Sequence, residues 1–195
     1  MCITRVIATF LSCKAKVAFC LILWSITAWS NPTNPQVLVG SASFNTNGNQ
    51  LQVTASSIYT IIQWDDFSIQ GVETTQFILP SSDSLVINLV VGSGNQMTTI
   101  DGLLTGNGKI WILNPNSFFV GASGTIEADS FLAATISLNV TNDQWYDSPN
   151  VAPLTSFFIN QGTIRTTGGD LIFLCDNLNN DGILDVMIGG SVFVV

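Results

Sequence analysis

The sequence predicts an all-β chain folded as a parallel β-helix, and it leaves a β-sandwich open as the alternative. Three observations carry this prediction. No stretch of helix length places apolar residues at the 3.6-residue spacing of an amphipathic helix. Short β-like runs follow one another with glycine and asparagine between them. One segment also repeats at a period near twenty residues, which is typical of a solenoid coil.

The first element is a leader, residues 1–30, with the pattern of a secretory signal peptide. It begins with basic residues, continues with an apolar core over residues 17–26, and ends with Ala28-Trp29-Ser30. Small residues at the first and third of these positions are typical of signal-peptidase sites, so we expect cleavage after Ser30. A membrane anchor is the alternative. The leader therefore predicts passage through the Sec translocon and a mature domain of residues 31–195.

The mature chain is strongly acidic. Lys109 and Arg165 are its basic residues, and with thirteen carboxylates they give a net charge of −11. Such a surface repels nucleic acid and anionic lipid, so neither is expected as a partner. The chain has no histidine, and Cys175 is its one cysteine outside the leader, so no internal disulfide can form.

Eleven short runs are predicted as strands because β-branched, aromatic and other apolar residues dominate them and turn-forming residues separate them. They span residues 36–44, 50–55, 59–64, 75–79, 85–91, 109–113, 124–128, 131–138, 156–159, 171–175 and 191–195.

The run 109–113 has two apolar faces. Alternation places Ile110 and Ile112 on one face, and Trp111 and Leu113 on the other. A solenoid wall with water outside would be polar on its outer face. We therefore expect an extra-helical layer to cover this wall, and the non-repeating segments 58–67 and 143–153 are the candidates.

The repeat defines the expected coil. Asn160 and Gly162 recur as Asn180 and Gly182, twenty residues later, and a Gly-Gly pair recurs in the same stretch. Two glycine corners and two short strands fit one coil of a parallel β-helix. Strands of successive coils would pair about 4.8 Å apart, so stacked like charges would repel one another, which explains their scarcity. About eight coils of about 21 residues would fill the mature chain.

The string Asn114-Pro115-Asn116-Ser117 interrupts two apolar runs, "KIWIL" before it and "FFV" after it. Proline fixes φ near about −65° for the first turn position, and asparagine side chains bond neighbouring backbone amides. These residue types therefore predict a corner between two strands. They leave open whether a partner also contacts the corner.

A second string, "NLNNDGILD", resembles part of a calcium loop. Asn177, Asn179, Asp181 and Asp185 would be its first, third, fifth and ninth positions. The first position lacks the usual aspartate, however, and the twelfth is Ile188 where a bidentate acid belongs. We therefore expect a coil of the repeat here, and no metal or cofactor.

Asp65 and Asp66 form the one adjacent pair of acids. Neighbours on a strand point to opposite faces, so this pair cannot share a catalytic site, and a turn after Trp64 is expected instead. Some polysaccharide-cleaving enzymes are parallel β-helices, but their chemistry needs clustered acids or a basic residue near the developing charge. Two cations and no histidine supply little of this, so no enzyme activity is expected.

Taken in order, these stretches resemble the N-terminal secretion domain of filamentous haemagglutinin-type exoproteins, the secreted partners of two-partner secretion systems in Gram-negative bacteria. The strand that runs into Asn-Pro-Asn is the most specific match. The matching stretches are "VLVGSASF", "NQLQVTASS", "IIQWDDFSI", "VETTQFILP", "VINLVVG", "IDGLLTGNGKIWILNPNSFFVGASGTIEA" and "INQGTI". Two positions depart from the family pattern: Ser117 stands where glycine or leucine is usual, and Leu89 follows Asn88 where arginine is common.

The resemblance implies a right-handed parallel β-helix with an N-terminal cap and extra-helical strands. It also implies that an outer-membrane transporter with periplasmic recognition domains binds the domain. The protein would then be periplasmic in transit and afterwards secreted or held at the cell surface. Asn114, Pro115 and Asn116 match the family motif, and together with Ser117 they are the candidate transporter-recognition or structural residues.

The expected function is therefore that of a secretion-targeting domain of an adhesin or haemagglutinin, which nucleates β-helix folding outside the cell. The alternative is a stand-alone surface adhesin or carbohydrate-binding solenoid. The last residues, "SVFVV", form an apolar strand without a polar cap. We therefore expect a fragment, a truncated reading frame or the start of a longer passenger, which would bind a host-cell surface.

Overall fold

The computed structural model describes residues 31–92, 96–136, 138–141, 144–147 and 156–195. The leader lies outside these ranges, so the signal peptide stays a prediction. The described residues form twenty strands. No helix within them is long and apolar enough to cross a membrane.

The strands are short, and most of them are three to six residues long. In chain order they are β1 (Gln36–Val39), β2 (Ala42–Asn47), β3 (Gln50–Ala55), β4 (Tyr59–Trp64), β5 (Thr74–Ile78), β6 (Leu85–Val90), β7 (Thr98–Ile100), β8 (Leu103–Gly106), β9 (Lys109–Leu113), β10 (Phe118–Val120), β11 (Thr125–Ala128), β12 (Ser130–Ala134), β13 (Leu138–Thr141), β14 (Gln144–Asp147), β15 (Phe157–Asn160), β16 (Thr163–Thr166), β17 (Leu171–Leu174), β18 (Asn177–Asn180), β19 (Ile183–Val186) and β20 (Val192–Val194).

Three sheets form the walls of a parallel β-helix, which confirms the predicted fold. The apolar wall has the order β1-β4-β6-β9-β12-β17-β20, and the polar wall has the order β19-β16-β11-β8-β5-β3-β2. The short wall has the order β18-β15-β10-β7. Strands that are far apart in sequence are therefore neighbours within each wall, as in β6, β9 and β12, which pair in parallel.

Two antiparallel strands close the N-terminal end of the helix. β1 pairs antiparallel with β4, and β2 pairs antiparallel with β3. They occupy the outer positions of the apolar and polar walls, so no parallel coil precedes them among the described residues. The N-terminal cap that the family resemblance implied is confirmed. The hairpin of β13 and β14 forms a separate two-stranded sheet outside the three walls.

The prediction of eight coils was wrong, because the described residues form about five. Along the polar wall, the register pairs Thr74 with Leu103, then Leu103 with Thr125, Thr125 with Thr163, and Thr163 with Ile183. These steps are 29, 22, 38 and 20 residues long. The 38-residue step contains the β13–β14 hairpin. Only the last coils keep the period near twenty from which the number of coils was predicted.

Inward side chains fill the solenoid with one continuous apolar core. In its C-terminal half, the ring centroids of Phe118 and Phe158 lie 5.5 Å apart, and those of Phe158 and Phe173 lie 4.6 Å apart. Near the N-terminal end, Trp64 packs edge-on against Phe67 with their centroids 5.6 Å apart. Aromatic contacts of this kind add to the large area that each ring buries, so the column holds successive coils in place.

A second apolar cluster lies on the outer face of the apolar wall, which confirms that this wall has two apolar faces. Ile61, Ile87 and Leu113 belong to it and are at most 4% exposed, and Trp111 packs against it. The prediction that segment 58–67 forms a separate outer layer was wrong, since β4 lies within the wall. Segment 143–153 contributes β14 to the extra-helical hairpin, and the rest of it lies outside the described residues.

A column of glycines forms the corner between the short wall and the polar wall. A Cβ on Gly182 would lie 2.2 Å from the backbone oxygen of Gly162, and one on Gly162 would lie 2.2 Å from that of Gly124. Gly124 and Gly102 approach the preceding coil in the same way. Asn160 and Asn180 are paired in register, as the repeat predicted, and Asn160 Nδ2 donates to Asn180 Oδ1 at 2.7 Å.

Substituting one glycine of this column tests how tightly the coils are stacked. Gly162→Ala is expected to lower the free energy of unfolding by about 1–3 kcal/mol or more, because the new methyl group meets backbone that cannot rotate away. Gly71→Ala is the matched control, since its Cβ would have no neighbour nearer than 3.8 Å. Urea denaturation followed by tryptophan fluorescence compares the two variants, and equal midpoints would contradict the tight column.

Candidate functional site

The candidate site is the corner Asn114-Pro115-Asn116-Ser117, which joins β9 in the apolar wall to β10 in the short wall. Asn114 is fully buried and Ser117 is 3% exposed, whereas Pro115 and Asn116 are half-buried. The ends of the string thus belong to the interior of the fold. Its middle is the part that a partner could reach.

Asn114 holds the corner through three connections. Its Nδ2 donates to the backbone oxygen of Gln96 at 3.0 Å and to Thr98 Oγ1 at 2.9 Å. Its Oδ1 accepts the backbone N–H of Asn116 at 2.9 Å, which closes the turn through a side chain. Its own N–H donates to the backbone oxygen of Ala134 in the next coil at 2.9 Å. The side chain is therefore fully occupied within the chain, which is what a structural corner requires.

Ser117 has a φ of 107°, in the left-handed region that favours glycine. Its backbone oxygen accepts the N–H of Thr98 at 3.1 Å, and its Oγ accepts the N–H of Phe157 at 3.1 Å. The hydroxyl thus ties the corner to the following coil. This geometry gives a physical reason for the glycine that is common at the equivalent family position, and it shows what serine supplies in its place.

Asn88 and Leu89, the second departure from the family pattern, lie on opposite faces of β6. Asn88 points inward and is fully buried, where its Oδ1 accepts the indole N–H of Trp64 at 2.9 Å. Its Nδ2 donates to the backbone oxygen of Trp111 at 3.1 Å. Leu89 points outward into the second apolar cluster and is 3% exposed. Leucine suits this face because an arginine there would lose its water.

The calcium-like string forms strand, corner and strand. Asn177 and Asn179 lie on β18, Asp181 lies at the corner, and Asp185 lies on β19. Asp185 Oδ2 accepts a hydrogen bond from Arg165 Nε at 2.8 Å, which engages it with a neighbouring coil. Among the described residues, no group of three or more His, Cys, Asp or Glu side chains could hold a metal ion.

Asp65 and Asp66 follow the end of β4 at Trp64, so the turn expected there is confirmed. Asp65 Oδ2 accepts from Asn34 Nδ2 at 2.7 Å on the surface. Asp66 is 7% exposed, and its carboxylate accepts from the hydroxyl of Ser68 at 2.9 Å and from its N–H at 3.2 Å. The two acids have separate partners and environments, so the structure does not bring them together as a pair.

The residues that hold the corner from outside were not identified in the sequence. Gln96, Thr98 and Phe157 lie 18, 16 and 40 residues from the positions that they bond. Each is brought to the corner by the register of the coils and not by local sequence. The spacing of 16 to 18 residues is close to one coil, but no residue type marks these positions as partners.

Comparisons with known proteins give the following similarities. A family model, the TPS secretion domain, matches residues 27–192. A heme/hemopexin-binding protein of Haemophilus influenzae is 28% identical over 171 residues, which cover 84% of this chain and 19% of that protein. A second heme/hemopexin-binding protein of Haemophilus influenzae is 28% identical over 108 residues, which cover 55% of this chain and 11% of that protein. The chain thus spans less than a fifth of the length of these relatives.

A solved structure supports the fold. The crystal structure of the HMW1 secretion domain from Haemophilus influenzae superposes with a TM-score of 0.74 at 24% sequence identity. The match covers 85% of this chain and 45% of that chain. At this level of identity the similarity bears on the β-helical architecture.

Two substitutions at Ser117 separate its backbone strain from its hydrogen bond. Ser117→Ala keeps the unfavourable φ and loses the bond to Phe157, so we expect it to lower the free energy of unfolding by about 1–2 kcal/mol. Ser117→Gly loses the same bond but removes the strain, so its loss should be smaller by about 1 kcal/mol. Equilibrium urea unfolding measures both, and an alanine variant as stable as the glycine variant would contradict the strain.

The buried acid gives a prediction about pH. Burial raises the pKa of Asp66 above its usual value of 3.8, and hydrogen bonds from Ser68 and the backbone offset part of this. The folded chain therefore binds more protons than the unfolded chain between the two pKa values, so the contribution of Asp66 to stability grows as the pH falls. It is fully present below the unfolded pKa and is lost as the pH rises through the folded pKa.

Asp66→Asn should remove this contribution. The free energy of unfolding of the unsubstituted chain should gain on that of Asp66→Asn as the pH is lowered from about 7 towards about 4. Asp181→Asn, on an exposed corner, controls for the loss of one carboxylate. A constant difference between the unsubstituted chain and Asp66→Asn over this range would show that Asp66 does not titrate as proposed.

Proposed function

The chain belongs to the TPS secretion domain family, and we propose that it is the export-targeting start of a two-partner-secretion exoprotein that an outer-membrane transporter recognises. In this proposal the leader, residues 1–30, carries the chain through the Sec translocon. Periplasmic recognition domains of the transporter then bind the mature domain. The exoprotein ends up secreted or attached to the cell surface.

The observation that carries this proposal is the difference between the two ends of the solenoid. At the N-terminal end, β1 and β2 cover the first coil with antiparallel pairing. At the C-terminal end, β18, β19 and β20 are each the last strand of their wall. Within the described residues, each of these three strands therefore pairs on one edge only. New coils can be added at one end of the domain and not at the other.

Burial along one column supports this direction of growth. Val192 and Val194 of β20 pair in register with Leu171 and Phe173 of β17. Leu171 and Phe173 are fully buried, whereas Val192 and Val194 are 44% and 56% exposed. A further coil would bury these valines and pair their backbone groups, and both changes are favourable. The domain thereby acts as a template on which a longer passenger folds as it leaves the transporter.

The half-buried middle of the corner is the part that we propose for transporter contact. Asn114 and Ser117 spend their side chains on internal hydrogen bonds. The Asn116 side chain makes no hydrogen bond to another described residue, so it is available to a partner. Together with Pro115 it forms a small surface held on a rigid base, which is the arrangement that specific recognition needs.

Transporter-dependent export tests the function directly. The full chain is produced in a Gram-negative host with and without its cognate transporter, and the chain outside the cell is quantified. We expect it to appear outside only when the transporter is present. Appearance at the surface without the transporter would contradict the proposal and favour a stand-alone surface adhesin or carbohydrate-binding solenoid.

Asn116→Ile tests the corner. We expect about a tenfold or larger loss of export with little change in stability, because an interface residue at a central contact is worth about 1.4 kcal/mol or more. Gln161→Ile is the matched control, since Gln161 is also an exposed amide at a corner of the solenoid. Circular dichroism of both purified variants reports folding. If Asn116→Ile unfolds, or is exported as well as Gln161→Ile, the corner has no recognition role.

A further inference from the structure

Asn31, the first described residue, is tied into the fold by three hydrogen bonds. Its backbone N–H donates to Glu73 Oε2 at 2.8 Å, and its Nδ2 donates to the backbone oxygen of Asn49 at 3.0 Å. Its Oδ1 accepts from the hydroxyl of Thr75 at 2.9 Å. Asn31 is 4% exposed and Thr75 is fully buried. The residue thus lies against the first coil instead of hanging from it as a loose terminus.

Glu73 organises the same end of the solenoid. Its Oε2 also accepts the backbone N–H of Gln70 at 2.9 Å, and its own N–H donates to the backbone oxygen of Gln70 at 2.8 Å. Its backbone oxygen accepts the N–H of Leu103 in the next coil at 2.9 Å. One carboxylate therefore joins the start of the mature chain to the corner that leads into β5.

The few cations of the mature chain are engaged elsewhere. Lys109 pairs with Asp83 at 3.4 Å. Arg165 pairs with Glu127 at 3.3 Å and with Asp185 at 2.8 Å. Among the described residues, Glu73 has two N–H donors on one oxygen and no cationic partner. It is therefore a partly buried carboxylate that would gain from a positive charge at the Asn31 nitrogen.

We propose that removal of the leader after Ser30 supplies that charge, so that the new α-ammonium of Asn31 pairs with Glu73 and anchors the mature N-terminus to the cap. This inference rests on the signal peptide included in the proposed function. It assigns Glu73 as the binding residue for the processed terminus. It also places the cleaved bond directly beside a geometry that is already formed.

The chemistry of the cleavage accounts for the charge. Signal peptidase hydrolyses the bond between Ser30 and Asn31 with one water molecule. The water oxygen joins the carbonyl carbon of Ser30, the C–N bond breaks, and both water protons end on the nitrogen of Asn31. The products are a carboxylate on the leader and an ammonium on the mature chain. An amide N–H bond to Glu73 is thereby replaced by a charge-assisted pair, which is roughly twice as strong.

The position of the pair makes it more effective than the surface pairs of this chain. Asn31 and its neighbour Pro32 are both buried, so solvent screens the new terminus less than it screens the exposed pair of Lys109 and Asp83. The order of export also fits. The leader is removed at the inner membrane, before a transporter in the outer membrane can receive the domain.

Acetylation of the α-amine tests the proposal. The mature chain beginning at Asn31 is compared with the same chain acetylated at Asn31, which keeps the N–H but removes the charge. We expect acetylation to lower Tm by about 2–4 °C. The acetylation effect should disappear in Glu73→Gln and persist in Glu127→Gln, a matched glutamate that pairs with Arg165. No effect in the unsubstituted chain, or an equal effect in Glu73→Gln, would overturn the proposal.

Intact mass of the chain recovered outside the cell provides the second measurement and needs no substitution. A mass that begins at Asn31 supports the proposal, and a terminus at any other residue overturns it. Transporter-dependent export is scored separately in the same cultures. Loss of that dependence would contradict the proposed function, whereas export with an unanchored terminus would contradict this inference alone.

Discussion

Parallel pairing in register is the constraint on which the rest of this structure depends. Each strand of a wall places its residues directly above those of the preceding coil, about 4.8 Å away. A residue type that fits once must therefore fit beside its own kind or beside a compatible neighbour. The glycine column meets this condition through Gly124, Gly162 and Gly182, where backbone from one coil fills the space of a missing Cβ in the next. The single charged ladder alternates in sign, since Glu127, Arg165 and Asp185 are paired in succession.

This constraint also explains how much of the fold could be predicted. Apolar strands such as β9 and β17 and the repeat that includes Asn160 and Asn180 are local signals, and they were predicted correctly. The polar strand β18, "NLNN", was not, because its conformation comes from the pairing with β15 and not from its own residues. The number of coils failed for a related reason. Coils of 29 and 38 residues hide their period behind loops and a hairpin.

The candidate site divides in the same way. Asn114-Pro115-Asn116 was predicted as a corner because its residue types favour turns regardless of context. The bonds that hold it could not be predicted, since Gln96, Thr98 and Phe157 reach it only through the register of the coils. The left-handed backbone of Ser117 was likewise hidden, because serine does not mark a positive φ as glycine does. Local chemistry is therefore readable in such a chain, whereas contacts between coils need the structure.

A secretion domain of this kind needs no reacting groups, because its work follows from which surfaces are closed and which are open. The closed end is stabilised early, by β1, β2 and the bonds of Asn31. The open end leaves Val192 and Val194 exposed on the same column in which Leu171 and Phe173 are buried. A chain that threads through a transporter from its N-terminal end would complete the closed end first and could not begin folding elsewhere at lower cost. The growing edge then always faces the transporter, so each new coil meets a paired strand as it emerges, and burial of that coil opposes its return.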